Sequence, residues 1–143
     1  MILRDEITND PLGRGYAQMT NAEVEVSLNA KDRTKIGGVM RNKFAIWAAS
    51  TGVRAKIEDA STNMLDPLRS SALALLDFLR GGVSDNLDLS DAANMAMLDA
   101  WVAAGKVTAQ QKADLVALAT IECSRAEELD VRADDYTIRV ARS

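Results

Sequence analysis

"DPLRSSALALLDFLRGG", residues 66–82, reads as a helix with both of its ends signalled. Asp66 stands where an N-cap carboxylate accepts from free backbone amides, and Pro67 fits the first position, where no amide hydrogen is needed. Leu68, Ala72, Leu75, Leu76 and Leu79 then recur at spacings of three and four, which puts them on one face of a helix. Gly81-Gly82 supplies the backbone freedom that closes it. Leu73 and Phe78 form a second apolar flank, so the helix is expected to be buried on more than one side. That makes it the central helix of a helical domain.

The same grammar extends in both directions. Upstream, "VMRNKFAIWAAS" (39–50) places Met40, Phe44, Trp47 and Ala48 at helical spacing. Val53, Ile57 and Ala60 continue an apolar side beyond Thr51-Gly52, which either breaks the helix or is absorbed by it. Downstream, Ser90 is the expected cap of a helix carrying Met95, Leu98, Trp101 and Val102 and ending at Gly105. Thr108 and Gln111 then form a capping box, in which hydroxyl and amide side chains satisfy each other's free backbone amides. It starts a helix with Leu115, Leu118 and Ala119, and "AGKVT" is short enough to make the two an antiparallel helical hairpin.

The N-terminal stretch is specified just as closely. Residues 2–8 suit two turns of helix, stopped before Asn9-Asp10-Pro11 because the residue preceding proline is pushed out of the α region. Gly13 and Gly15 flank Arg14 in a sharp turn. Thr20 and Glu23 make a second capping box, with Met19 and Val24 as its hydrophobic staple. Ser124 and Glu127 make a third, which either restarts the chain in a new direction or is absorbed into the preceding helix. The tail "DDYTIRVARS" changes character. Tyr136, Ile138 and Val140 alternate with Thr137 and Arg139, a strand period, so the tail is either an extended arm or a last helix, and the alternation favours the arm.

The expected fold is therefore all-α: a compact bundle of short helices over residues 1–133, with residues 134–143 as a C-terminal arm. Composition agrees. Aromatics make up 4% of 143 residues and apolar residues 48%, which suits Ala-lined helix packing and not a β-sandwich. A chain of this length buries a core without disulfides or metals.

Chemistry is thinly represented. There is no histidine and one cysteine, Cys123. That excludes an internal disulfide, Ser-His-Asp and Cys-His catalysis and histidine-ligated zinc. No catalytic residue, metal ligand or cofactor site is expected, and the chain reads as non-enzymatic. A net charge of −4 makes nucleic acid a poor default partner. No apolar run reaches membrane-spanning length, and "MILRDE" turns charged too early for a signal peptide, so synthesis in a cytoplasm is expected.

Two local patterns bear weighing. "GRG" has the glycines of a phosphate loop but not the GxxxxGK[ST] spacing, and no strand-like run precedes it, so a structural turn is expected. Lys31, Arg33, Lys35, Arg41, Lys43, Arg54 and Lys56 make 31–56 the most basic segment, either a solvated face or a docking surface for an acidic partner or nucleic acid. Adjacent carboxylates such as Glu127-Glu128 read as helix-start charges.

"DPLGRGYAQMTNAEVEVSLN", "RAKIEDA", "PLRSSALALLDFLRGG" followed by "AMLDAWVAAGKVTAQQKADLVALAT", and "SRAEEL" together resemble a family of small proteins encoded by tailed bacteriophages and prophages, often near tail genes. The resemblance spans nearly the whole chain, and its opening and its "SRAEEL" close are the most specific parts. It implies a virus-encoded, virion-associated protein and does not say which part of the virion. Together with the lack of catalytic equipment and the expected arm, it favours a structural or adaptor protein of the tail or its fibre attachment, made in the host cytoplasm, oligomeric, and partnered by other phage structural proteins. The alternative is a phage regulatory protein binding a host protein or nucleic acid. The family supplies no catalytic residue to transfer. The expected partner contacts, from the alternation alone, are Tyr136, Ile138 and Val140, with Arg139 at the rim.

Overall fold

A computed structural model describes residues 1–82 and 84–143; Val83 lies outside the described residues. The chain is mostly helical. In order it forms α1 (Ile2–Asn9), a 3₁₀ turn (Tyr16–Gln18), α2 (Asn21–Asn29), β1 (Arg33–Ile36), β2 (Gly38–Met40), α3 (Arg41–Thr51), α4 (Val53–Thr62) and α5 (Arg69–Leu79). There follow β3 (Asn86–Asp88), α6 (Ala92–Ala103), α7 (Ala109–Ala119), β4 (Thr120–Cys123), α8 (Arg125–Glu128) and α9 (Asp135–Arg142).

The fold is not purely all-α. β1 pairs with β4, and β2 runs antiparallel to β3 with Gly38 opposite Asp88 and Met40 opposite Asn86. Each strand is three or four residues long, too short to show a period of two in the sequence.

Two compact units divide the chain: residues 1–35 with 121–143, and residues 36–120. Each has its own core. In the second unit Val39, Phe44, Trp47, Val53, Ile57, Ala72, Leu75, Leu76, Leu98, Trp101 and Leu115 form one buried cluster. The helix read from 66–82 is here as α5, packed on α3 and α4. Its start lies slightly later than expected: the Asp66 carboxylate does accept from Leu68 N at 2.8 Å, but residues 66–68 form a turn before α5 begins. Gly52, at φ 79°, breaks the chain between α3 and α4 rather than being absorbed. Asp91 instead of Ser90 caps α6, accepting from Ala93 N at 2.8 Å. The Thr108–Gln111 capping box starts α7, which packs against α6 across the short turn. Leu118, Met40 and Leu73 are exposed, so these three positions expected to be buried face outward, and of the second flank of α5 only Phe78 packs against the core.

Arg41 ties the second unit together. Its Nε donates to Phe78 O at 2.8 Å and its Nη2 to Ser84 O at 2.8 Å and Gly82 O at 3.3 Å, so a cation sits on one carbonyl in the last turn of α5 and on two beyond its end.

In the first unit Leu3, Ile7, Tyr16, Val24, Leu28, Ala126, Ala133, Ile138 and Ala141 form the core, with Met19 packed against it. The Thr20–Glu23 capping box is present: Glu23 N donates to Thr20 Oγ1 at 3.2 Å, and Thr20 N to Glu23 Oε2 at 2.7 Å. Thr20→Ala together with Glu23→Ala should therefore lower stability by about 1 kcal/mol, read from denaturant midpoints. An unchanged midpoint would mean that packing alone fixes this helix start. The Ser124–Glu127 box also forms and restarts the chain as α8, after β4 has interrupted α7.

The expected C-terminal arm is corrected: residues 135–142 are helix. Asp134 caps α9, its Oδ1 accepting from Thr137 N at 2.8 Å. The alternation that read as a strand mixes two faces of that helix. Tyr136 and Val140, four residues apart, lie together on one face, while Ile138 and Ala141 point into the core. The tail therefore belongs to the core of its unit.

Candidate functional site

Of the four residues expected at a partner contact, Ile138 is fully buried and unavailable. Tyr136 is 71% exposed and Val140 38% exposed, and Arg139 is exposed and paired with Asp135 on its own helix. Tyr136 and Val140 form one wall of an open groove. Met1, with Ile2 and Leu3 of α1, lines it as well, as do Val131, Arg132 and Thr137. The groove holds about 470 Å³ and its surface is almost wholly apolar. Apolar side chains at this exposure, gathered in one concavity, mark a surface suited to a partner.

The helices that frame the groove are fixed from behind by charge. Glu6, 5% exposed on the inner side of α1, takes both oxygens to Arg125, with Nε and Nη2 each at 2.8 Å. Arg125 Nη1 reaches Glu128 Oε2 at 3.0 Å, and Arg33 adds a second fork to Glu128 at 2.8 and 3.1 Å. Charges thus alternate from α1 through α8 to β1, and the bidentate geometry sets the orientation of each helix. At the far end of α9, the Arg142 guanidinium donates to Tyr16 O, Met19 O and Asn21 Oδ1 at 2.8–2.9 Å. Apart from Arg125 to Glu128, three residues on, these arginine contacts are not readable locally, because their partners lie more than ninety residues away in sequence.

The hydrogen bond from Arg33, and then that from Arg125, hold the Glu128 carboxyl at about 2, against an ordinary 4.5. A carboxyl depressed on folding contributes stability that is complete above its unfolded value and is lost as pH falls through its folded one. Acid should therefore weaken the protein between about pH 4.5 and pH 2, and Glu128→Gln should flatten that slope in a series of thermal melts. An identical slope in the variant would show that Glu128 carries none of it.

The "GRG" turn is structural. Gly13 and Gly15 have φ of 65° and 82°, and the Asp10 carboxylate accepts from Arg14 N at 2.7 Å and from Gly15 N at 2.6 Å. Desolvation pulls the Asp10 carboxyl upward, but the amides of Arg14, Gly15 and Tyr16 outweigh it and hold it below the ordinary range. The nest that would cradle a phosphate is filled by the chain's own anion. Arg14 itself donates to Ser27 O at 2.6 Å and pairs with Asp32 at 2.9 Å.

Much of the basic segment is also engaged. Lys31 pairs with Glu127, Arg33 with Glu128, Arg41 with Asp85 and Arg54 with Glu58; Lys35, Lys43 and Lys56 have no ion pair among the described residues. Trp47 is the core anchor expected of it, 6% exposed, with Nε1 donating to Gln111 O at 3.1 Å.

The second unit encloses an internal void of about 20 Å³, lined by apolar side chains including Phe44, Leu75, Trp101 and Leu115. It is the size of about one water and carries no polar group to hold one. Cys123 is buried and free. Among the described residues no three His, Cys, Asp or Glu side chains are placed to hold a metal ion, and no helix is long and apolar enough to cross a membrane.

Set against models of known protein families, curated proteins and solved structures, the chain matches none.

Proposed function

We propose that this chain is a non-enzymatic structural or adaptor protein of a bacteriophage particle, in the tail or its fibre attachment, whose partners are other phage structural proteins. The sequence resemblance supplies the phage setting. The observation that carries a binding role is the α1–α9 groove, a concave apolar surface with α1 held by the buried Glu6–Arg125 ion pair and α9 by the Arg142 hydrogen bonds. A rigid frame around an apolar concavity lets a partner dock without an ordering cost. The absence of histidine supports the non-enzymatic reading, since it removes the side chain that most often moves protons at neutral pH.

The alternative, a regulatory protein that binds a host protein or nucleic acid, draws on the basic segment, of which Lys35, Lys43 and Lys56 have no ion pair among the described residues. Deleting the gene from the encoding phage separates the two. The structural reading expects particles with missing or incomplete tails in electron micrographs, restored by supplying the protein in trans. Normal particles with altered host takeover, or salt-dependent retention of the purified protein on DNA, would favour the alternative.

A further inference from the structure

The second unit has an open groove of its own, between α3 and α7. The two helices run antiparallel. Trp47 Nε1 donates to Gln111 O at 3.1 Å and Gln111 Nε2 to Thr51 O at 3.5 Å, so the end of α3 meets the start of α7. Gly37 N, just ahead of β2 and α3, donates to Ala119 O at 2.8 Å, which brings the start of α3 to the end of α7. The groove holds about 420 Å³, and Ile46 and Leu118 on its walls are 69% and 42% exposed. Scattered singly, such side chains would need no explanation; gathered in one concavity, they do. The charged side chains that line it are Lys43, in the first turn of α3, and Asp114, midway along α7. Antiparallel packing sets Lys43 toward the Leu118 end and Asp114 nearer the Thr51 end. Neither has an ion pair among the described residues, and the Asp114 carboxylate accepts from the neutral Gln110 Nε2 at 2.9 Å.

We propose that the α3–α7 groove is the surface through which two copies of this chain pair about a two-fold axis. Charge selects that occupant. A partner must bring a carboxylate to Lys43 and a cation to Asp114, in that order along the groove, and the groove itself carries the matching set. A two-fold rotation turns it end for end, so each Lys43 meets the partner's Asp114 and the four charges are matched in two pairs. Ile46 and Leu118 of both copies then cover one another between those pairs. The contact uses one surface on both copies, so it closes at two. Exposed charge pairs set register and choice of partner more than affinity, so the association is weak and is read at high concentration. The inference goes beyond the assembly reading, which concerns other phage proteins and the α1–α9 groove.

Analytical ultracentrifugation of the full chain, up to near-millimolar concentration, tests it. The wild type should pass from monomer to dimer as concentration rises, and stop there. Lys43→Glu makes the groove all-acidic and Asp114→Lys makes it all-basic. Each variant alone should therefore raise the dimer dissociation constant by about tenfold or more, with helical circular dichroism unchanged. An equimolar mixture of the two should dimerise again, because an acidic groove then faces a basic one at both contacts. Should either variant lose helicity, Ile46→Ser, which alters no charge, carries the test and should also weaken the dimer. A wild type that stays monomeric throughout overturns the inference and leaves the groove to a different protein. A dimer that the charge reversals or Ile46→Ser leave intact overturns it too, by placing the contact elsewhere. So does a mixture that associates no better than its two parts. The assembly reading is tested separately, by particles made without the protein, and its failure would leave this pairing untouched.

Discussion

Arg125→Met should cost about 3–5 kcal/mol of stability, because it leaves the Glu6 side chain, 5% exposed, without its partner. The loss is mostly the penalty on the abandoned charge, so the pair's own worth is smaller. Glu6→Leu combined with Arg125→Met should recover most of it, since apolar side chains can occupy the same space between α1 and α8. Hydrogen exchange would place the damage: amides around Leu3, Val24 and Ile138, in the same unit, should lose protection first. If Arg125→Met melts within half a kcal/mol of the wild type, the ion pair is not holding these helices.

Trp101→Ala should cost about 3–5 kcal/mol, the range for removing a buried indole. Trp101 is 2% exposed, lines the existing void of the second unit, and donates from Nε1 to Ser71 Oγ at 2.9 Å. Its removal enlarges a space that the surrounding rings already leave unfilled. Trp101→Phe should cost much less, because most of the ring remains and Ser71 keeps its bond to Leu68 O at 2.9 Å. Denaturant midpoints with unchanged slopes would measure both. A loss under about 1 kcal/mol for the alanine variant would make α6 peripheral to the core.

The parts of this fold that the sequence disclosed are those written in local code. Thr20, Thr108 and Ser124 each stand three residues before a Glu or Gln, and each forms the capping box so implied. The apolar spacing of 66–82 placed α5, because a helix packed on its neighbours must repeat near 3.6 residues. The tail was misread because its box is Asp134 with Thr137, lacking the usual Glu or Gln, and because eight residues can satisfy two periods at once. Capping and burial of Ile138 and Ala141 decided between them. The division into two units had no local signature, since one unit joins the two ends of the chain. The groove was half legible: Tyr136 and Val140 were singled out as partner contacts, whereas Ile2 and Leu3 were legible only as apolar positions of a short first helix, because their proximity to the tail is tertiary.

The claim that most needs a direct reading is that this chain is built into a phage particle. Quantitative mass spectrometry of gradient-purified virions of the encoding phage supplies it, after a nuclease and high-salt wash that strips adherent proteins. The account predicts the chain at a fixed copy number relative to the other structural proteins, the same in independent preparations. A chain abundant in infected cells yet absent from washed particles would contradict it.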